Sequence, residues 1–165
     1  MPLAVTPVRP LSAETQKVYH GSFPGIRRFY VDGQGVLFGV QLRRAELGVK
    51  KLVLLRLHPK TKEKELVAAA RIQFLPGKSE LFLFEGHHGN TFPSRSRSPK
   101  TKGIGFFRVL VNEATLLAKE HGMDRIALET RPPRLRSYYA LHGFRSTPKP
   151  NRKGQYRLTR RVRHA

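Results

Sequence analysis

The chain contains no cysteine, and this absence excludes several kinds of chemistry. It can form no disulfide, no thiolate metal site and no cysteine nucleophile. No apolar run approaches the roughly 18 residues that a transmembrane helix needs. Residues 1–5 also lack the basic and then apolar layout of a signal peptide. These features are expected of a cytoplasmic protein.

Acidic residues are scarce, so the charge of the chain is strongly one-sided. The 165 residues include 32 Lys and Arg against 11 Asp and Glu, which gives a formal net charge of +21. A soluble domain usually needs a net charge of only about 2–8, and a larger excess costs stability through self-repulsion. The excess therefore predicts a polyanionic partner, with nucleic acid first and an anionic membrane surface second. A generally basic proteome or a solvated tail is the plainer alternative.

The positive charge is concentrated in the C-terminal third. Residues 131–165 contain no acidic side chain, and their lysines and arginines are Arg131, Arg134, Arg136, Arg145, Lys149, Arg152, Lys153, Arg157, Arg160, Arg161 and Arg163. Two more arginines lie in the polar stretch 86–99. The residues predicted to contact nucleic acid are Arg95, Arg97, Arg134, Arg136, Arg152 and Lys153.

The first half of the chain predicts an antiparallel meander. Residues 1–15 contain three prolines and are expected to form an extended arm, followed by a single domain over 16–165. Between 16 and 29, two glycines and a proline are expected to interrupt any helix. Apolar runs separated by short turns predict strands at 28–31, 36–42, 51–57, 66–75 and 81–85.

The second half predicts two helices and three strands. A helix over 106–121 has apolar residues at helical spacing, with Gly122 at its C′ position. A strand over 125–129 follows, and Thr130 can cap a second helix with Pro132 or Pro133 in its first turn. Strands at 144–147 and 155–159 complete the chain. The predicted fold class is α/β, with a mixed, mostly antiparallel central sheet and flanking helices.

The stretch 100–105 predicts an anion site between a strand and a helix. Gly103 and Gly105 allow backbone N–H groups to turn inward without a Cβ in the way. The helix N-terminus that follows presents unpaired donors and partial positive charge, which suits a phosphate. Lys100 and Lys102 add full charges, although a simple turn on a basic surface has the same composition.

Two motifs and the order of the elements resemble the GCN5-related N-acetyltransferase (GNAT) family. Lys100-x-x-Gly103-x-Gly105 is similar to the family's pyrophosphate loop, Arg/Gln-x-x-Gly-x-Gly/Ala, and Tyr139-Ala-Leu-His-Gly143-Phe144 is similar to its Tyr-x-x-x-Gly-Phe motif. The resemblance covers about residues 80–160. Two features depart from the family pattern: Pro132 stands where an Asn is common, and residues 86–99 form an insertion.

The resemblance implies that acetyl-coenzyme A is the acyl donor. The implied cofactor-binding residues are Lys100, Lys102, Gly103, Ile104, Gly105 and Phe106, with backbone N–H groups holding the pyrophosphate. The thioester would lie between the strands 81–85 and 125–129. A backbone N–H near Phe84 would stabilise the oxyanion that forms when the acceptor attacks.

The resemblance also implies the catalytic residues. Tyr139 would protonate the leaving thiolate, since a phenol is protonated at neutral pH; packing of the helix is its plainer role. Tyr138 is turned away by about 100°. Glu85 is the implied general base, with a rim carboxylate as the plainer role and His87 and His88 as alternatives. Adjacent histidines in an extended chain point opposite ways, so the pair does not favour a metal site.

The charge favours a nucleic-acid-associated acceptor: aminoacyl-tRNA, a nucleic-acid base or a ribosome-bound protein. Enzymes for cationic acceptors usually line their groove with carboxylates, which are few here. One alternative is a catalytically inactive GNAT-like protein that binds nucleic acid or a ribosome. A third is a structural component of a ribonucleoprotein or phage particle. Binding of acetyl-coenzyme A distinguishes the enzyme from the other two.

Overall fold

The computed structural model describes residues 8–84, 106–131 and 133–163, and these ranges contain nine strands and three helices. The strands are β1 (Arg9–Pro10), β2 (Arg28–Val31), β3 (Leu37–Glu46), β4 (Val49–Leu57), β5 (Lys64–Leu75), β6 (Glu80–Leu83), β7 (Arg125–Thr130), β8 (Arg145–Ser146) and β9 (Tyr156–Arg161). The helices are α1 (Ala13–Ser22), α2 (Phe106–Glu120) and α3 (Pro133–Ala140). No helix in these ranges has the length and apolar character that a membrane span requires.

The strands form one mixed sheet in the order β1-β2-β3-β4-β5-β6-β7-β9-β8. The pairs β1–β2, β2–β3, β5–β6, β7–β9 and β8–β9 are antiparallel, whereas β6 and β7 are parallel. A parallel pair needs a long crossover connection, and the chain between β6 and β7 includes α2. The predicted fold class, a mostly antiparallel mixed sheet with flanking helices, is confirmed.

Helix α1 contradicts the expectation that no helix forms between residues 16 and 29, and it also takes in residues 13–15 of the expected arm. Ser12 caps the helix by accepting a hydrogen bond from the Thr15 N–H at 3.3 Å. The Gln16 side chain donates to the Phe29 carbonyl at 2.8 Å and accepts from the Phe29 N–H at 2.7 Å. Because α1 has no buried residue, it lacks the apolar periodicity by which helices are predicted.

The chain divides into two compact units, and the described part of the first comprises residues 8–44, 51–70 and 106–110. Its core contains the buried side chains of Phe23, Ile26, Phe29, Leu37, Val53, Leu55 and Leu57. Gly39 lies against this core, since a Cβ there would stand 2.7 Å from Ile26 Cγ2 and 2.8 Å from Leu57 Cδ1. A larger residue at position 39 would therefore force the core apart.

The described part of the second unit comprises residues 45–50, 71–84, 111–131 and 133–163. Its register places Leu81 opposite Ile126 and Leu128 opposite Leu158. Because side chains alternate between the faces of a strand, these four buried residues share one face of the sheet. These side chains contribute to the apolar core of this unit, whereas Arg125 and Arg161, which lie opposite each other, are on the other face.

Two helix boundaries in the second unit bear on the sequence predictions. Gly122 has a φ of +69°, and the Met123 N–H donates to the Ala118 carbonyl at 2.8 Å, which confirms the predicted C′ glycine. Helix α3 begins at Pro133, as expected for a proline in the first turn. The prediction that Thr130 caps α3 is wrong, because Thr130 is the last residue of β7 and pairs with Tyr156.

Candidate functional site

The parallel pairing of β6 with β7 is short in the described residues. Their parallel register pairs Glu80 with Arg125 and ends where Phe82 pairs with Ala127. Beyond that point β7 continues to Thr130 as a partner of β9, while β6 stays paired with β5. Residues 128–130 therefore have no partner in the described part of β6. The gap between these strands was predicted to hold the thioester.

The backbone N–H of Phe84 is hydrogen-bonded within the sheet. It donates to the Arg71 carbonyl at 2.9 Å and so continues the pairing of β6 with β5. An oxyanion donor needs an N–H that is available to the substrate. The Phe84 amide is therefore not available for this role, and the expectation of a donor near Phe84 stays a prediction, because residues 85–105 lie outside the described residues.

The two tyrosines of α3 occupy different environments, as helical geometry requires. Tyr139 is buried, with 6% of its surface exposed, and its ring packs edge-on against Phe144 with centroids 6.3 Å apart. Tyr138 is 41% exposed and its ring contacts His142 at 5.1 Å. Burial of the phenol raises the pKa of Tyr138 above its ordinary value. Tyr139 as the proton donor stays a prediction.

Most of the predicted cofactor-binding residues lie outside the described residues. These are Lys100, Lys102, Gly103, Ile104 and Gly105, and the same holds for Glu85, His87, His88, Arg95 and Arg97. Phe106 is described: it begins α2, is partly buried, and its ring centroid lies 5.7 Å from that of Phe38. Among the described residues, no group of three His, Cys, Asp or Glu is arranged to hold a metal ion.

The predicted nucleic-acid-binding residues of the C-terminal third differ in their exposure and in their contacts with the rest of the protein. The Arg136 guanidinium donates from Nε to Ser146 Oγ at 2.9 Å and from Nη2 to the Thr147 carbonyl at 3.2 Å. It also lies 4.1 Å from the centroid of the Tyr156 ring. Arg136 thus joins α3 to the chain that follows β8. Arg152 and Lys153 are exposed, and the side chain of Arg134 is outside the described part.

An open cavity of about 810 Å³ lies in the second unit, and cationic side chains dominate its lining. The lining residues are Thr115, Lys119, Gly143, Arg145, Thr159, Arg160, Arg161 and Arg163. We call it the basic cavity. Thr115 and Lys119 lie four apart and so share one face of α2, while Arg145 lies opposite Thr159 across the β8–β9 pair. The sequence analysis did not identify this group, because only the helical spacing of Thr115 and Lys119 is visible in the sequence.

A second cationic group surrounds a buried carboxylate. Glu80 is 0% exposed, and its Oε1 accepts from Arg125 Nε at 3.1 Å and also from Arg157 Nη2. We call these three residues the Glu80 cluster. A buried carboxylate is costly unless it is paired. The two arginines therefore offset the cost of burying Glu80, and Glu80 in turn offsets part of their positive charge.

Comparison with known proteins supports the fold and nothing finer. No family model matches the sequence, and no curated protein matches it. The chain spans 61% of the length of a Thermoplasma acidophilum PaiA N-acetyltransferase solved with coenzyme A, at 12% identity over 69% of this chain, with a TM-score of 0.49.

Longer structural matches are found with other proteins. Nourseothricin acetyltransferase matches 94% of this chain and 98% of its own, with 14% identity and a TM-score of 0.52. A protein from Klebsiella pneumoniae subsp. pneumoniae assigned as an acyl-CoA N-acyltransferase matches 97% of this chain and 99% of its own, with 11% identity and a TM-score of 0.52. A Lactobacillus plantarum protein assigned as an N-acetyltransferase matches 70% of each chain, with 16% identity and a TM-score of 0.53. The parallel β6–β7 pair, the crossover that contains α2 and these structural matches together show that the chain has the fold of the GCN5-related N-acetyltransferases.

Proposed function

We propose that the chain is an acetyl-coenzyme A-dependent N-acyltransferase whose acceptor is associated with nucleic acid. The observation that carries the acyl-transfer part is the end of the described parallel β6–β7 register at Phe82 and Ala127. A strand pair that opened beyond this point would free backbone N–H and C=O groups on its inner edges. Such groups can bind an extended, amide-rich chain such as the pantetheine arm of the cofactor.

The diphosphate of the cofactor would bind where α2 begins. Helix α2 starts at Phe106, so the preceding stretch, with Gly103 and Gly105, leads directly into a helix N-terminus. Unpaired N–H donors and partial positive charge at that end favour an anion. Lys100 and Lys102 would add charge, and Ile104 and Phe106 would contribute backbone donors.

Tyr139 and Glu85 would carry the proton transfers. Glu85 would accept a proton from the acceptor amine as its nitrogen bonds to the acetyl carbon. The Tyr139 hydroxyl would give a proton to the sulfur that departs when the C–S bond breaks. Tyr139 is buried on α3 and its ring packs against Phe144. This packing supports a fixed ring position, which a positioned proton donor requires.

The acceptor is proposed from charge. A net charge of +21 is unfavourable for an isolated domain and favourable beside a polyanion. Aminoacyl-tRNA, a nucleic-acid base and a ribosome-bound protein all place an acylatable amine beside phosphates. The alternative is an inactive GNAT-fold protein that binds nucleic acid, which Pro132 in place of the family's common Asn supports.

The experiment is a measurement of free coenzyme A released from acetyl-coenzyme A in the presence of aminoacyl-tRNA, using a thiol reagent. Because the chain has no cysteine, the protein itself contributes no thiol to the signal. We expect release by the native chain, and we expect Tyr139→Phe to lower kcat by about 10²-fold or more, the usual contribution of a positioned proton donor.

The matched control is Tyr138→Phe, which removes the neighbouring hydroxyl from the partly exposed side of α3. It should leave kcat within about twofold, because surface changes away from a site have small effects. Equal losses in the two variants would contradict the role of Tyr139. A chain that binds tRNA but neither binds nor cleaves acetyl-coenzyme A would favour the inactive alternative.

A further inference from the structure

We propose that the basic cavity is a binding site for the phosphodiester backbone of a nucleic acid. The proposal deepens the proposed function, on which it rests for its biological role, since it gives the nucleic-acid-associated acceptor a place to bind. Its residues differ from the six predicted from the sequence. Its evidence comes from the second unit alone and is independent of acetyl transfer.

The charges of the basic cavity are not neutralised within the described protein. Lys119, Arg145, Arg160, Arg161 and Arg163 contribute five cations, and no described carboxylate lines the cavity. None of the five makes an ion pair with a described residue. An adjoining cavity of about 500 Å³ shares Thr159 and Arg161 with the basic cavity, and its lining includes the acidic residue Asp124.

Such an arrangement is unfavourable unless an anion compensates it. Arg161 lies directly opposite Arg125 across the β7–β9 pair, and like charges at this position repel each other. The guanidinium of Arg125 is compensated by Glu80, whereas that of Arg161 has no such partner among the described residues. The fold therefore holds several cations close together at a cost in stability, and a bound polyanion would remove that cost.

The chemistry of the lining suits phosphate. Four of the five cations are arginines, whose planar guanidinium groups bind phosphate through two parallel hydrogen bonds. The hydroxyls of Thr115 and Thr159 are hydrogen-bond donors of the kind that phosphates also accept. Gly143 has no side chain, and the position of its Cβ would be 3.6 Å from Arg160 Nε. The absence of a side chain at residue 143 thus keeps one edge of the Arg160 guanidinium uncovered.

The size and lining of the cavity favour nucleic acid over other polyanions. An anionic membrane surface is bound by apolar side chains together with cations, and no large apolar side chain is found among the described residues that line the basic cavity. A nucleic acid presents charge densely, about one negative charge per 1.7 Å of a duplex axis. This density matches a site with five cations better than an acidic peptide does, and such a peptide is kept as one outcome of the test.

The experiment compares two triple variants of the full chain. The first, R145Q/R161Q/R163Q, removes three exposed cations of the cavity. The matched control, R44Q/R56Q/K60Q, removes three exposed cations of the first unit, so the net charge falls equally. Binding of a labelled single-stranded RNA of about 16 nucleotides, and of DNA with the same sequence, is measured by fluorescence anisotropy across a range of salt concentrations.

We expect the cavity variant to lose at least tenfold in affinity, and its plot of log K against log[salt] to flatten by about 2, since each phosphate contact on a single strand contributes about 0.7 to the slope. The control should keep most of the slope. Preference for one oligonucleotide identifies RNA or DNA as the ligand. Equal losses in both triples, no binding by the native chain, or tighter binding of a poly-glutamate peptide would overturn the proposal.

Failure of this proposal and failure of the proposed function give different results. Calorimetric titration of the cavity variant with acetyl-coenzyme A should match that of the native chain, because none of its three residues belongs to the proposed cofactor site. If the native chain binds RNA through the cavity but gives no heat with acetyl-coenzyme A, acyl transfer fails and the cavity stands. If the native chain binds acetyl-coenzyme A but does not bind RNA through the cavity, the nucleic-acid site is rejected and the acyl-transfer proposal stands.

Discussion

Two groups of cationic side chains in the second unit differ in how their charge is compensated. The Glu80 cluster places two arginines around a carboxylate that is 0% exposed. The basic cavity places five cations together without a described carboxylate in its lining. In the first arrangement both guanidinium groups contact the buried carboxylate. The second is tolerated by the fold and becomes favourable only with a ligand. A high count of arginines therefore does not by itself identify a binding surface.

The largest expected effect comes from removing the carboxylate of the Glu80 cluster. Glu80→Gln leaves Arg125 and Arg157 without their acceptor charge, and breaking a buried pair in this way costs about 3 kcal/mol. The measurement is the free energy of unfolding in urea. The matched control is Glu46→Gln, which breaks the exposed Arg71–Glu46 pair at 3.0 Å and should cost less than about 1 kcal/mol. Similar losses in both would show that burial does not distinguish the two pairs.

A smaller effect is expected when single arginines of the two groups are compared. Arg157→Gln removes a hydrogen bond between two charged groups and should lower the free energy of unfolding by about 2 kcal/mol. Arg161→Gln removes a cation that has no described partner, and we expect stability to change by less than about 0.5 kcal/mol or to rise as repulsion is relieved. Both changes in the free energy of unfolding are to be measured by urea unfolding at low salt. Destabilisation by Arg161→Gln equal to that by Arg157→Gln would remove the distinction between the groups.

The smallest effect concerns the titration of Tyr138, which reports how far the positive charge of the cavity extends. A nearby cation lowers the pKa of a phenol, yet burial raises that of Tyr138. The phenol is therefore held protonated by the fold. Its contribution to stability is fully present below about pH 10, the ordinary pKa of tyrosine, and it is lost as the pH rises through the higher pKa of the folded state.

The pKa of Tyr138 is measured by ultraviolet titration of tyrosine ionisation, by subtracting the curve of the Tyr138→Phe variant from that of the native chain. We expect the R145Q/R161Q/R163Q variant to give the same Tyr138 titration as the native chain, because the cavity's field is local. If the pKa of Tyr138 rose further in that variant, the cavity's charge would be acting on α3, and the two regions would not be electrostatically separate.

The sequence predicted those elements that bury an apolar face. β2 was predicted over the residues that it occupies, and α2 and its terminal Gly122 follow from helical periodicity and a C′ glycine. By contrast, α1 has no buried residue and is held by Ser12 and by the side chain of Gln16. Interactions of a polar side chain with a strand distant in sequence leave no periodic pattern, so this helix was missed.

The sequence predicted less of the candidate sites. The family resemblance implied a thioester site between β6 and β7, and this site stays a prediction, since the described register of the two strands ends at Phe82 and Ala127. The basic cavity could not be predicted, because Arg145 and Arg160 are brought together by the β9–β8 pairing and Lys119 comes from α2, which is distant from both in the sequence. The sequence alone does not distinguish Arg136 from Arg161. In the structure the side chain of Arg136 donates hydrogen bonds to Ser146 and Thr147, whereas no hydrogen bond links the side chain of Arg161 to another described residue.

The most direct test of acyl transfer is calorimetric titration of the full chain with acetyl-coenzyme A, carried out in parallel on the native protein and on Tyr139→Phe. We predict one site per chain with a micromolar Kd, unchanged in the variant because the hydroxyl acts on the leaving sulfur and not on the diphosphate. Absence of heat in both proteins at millimolar ligand would contradict the proposal that this fold still binds the cofactor.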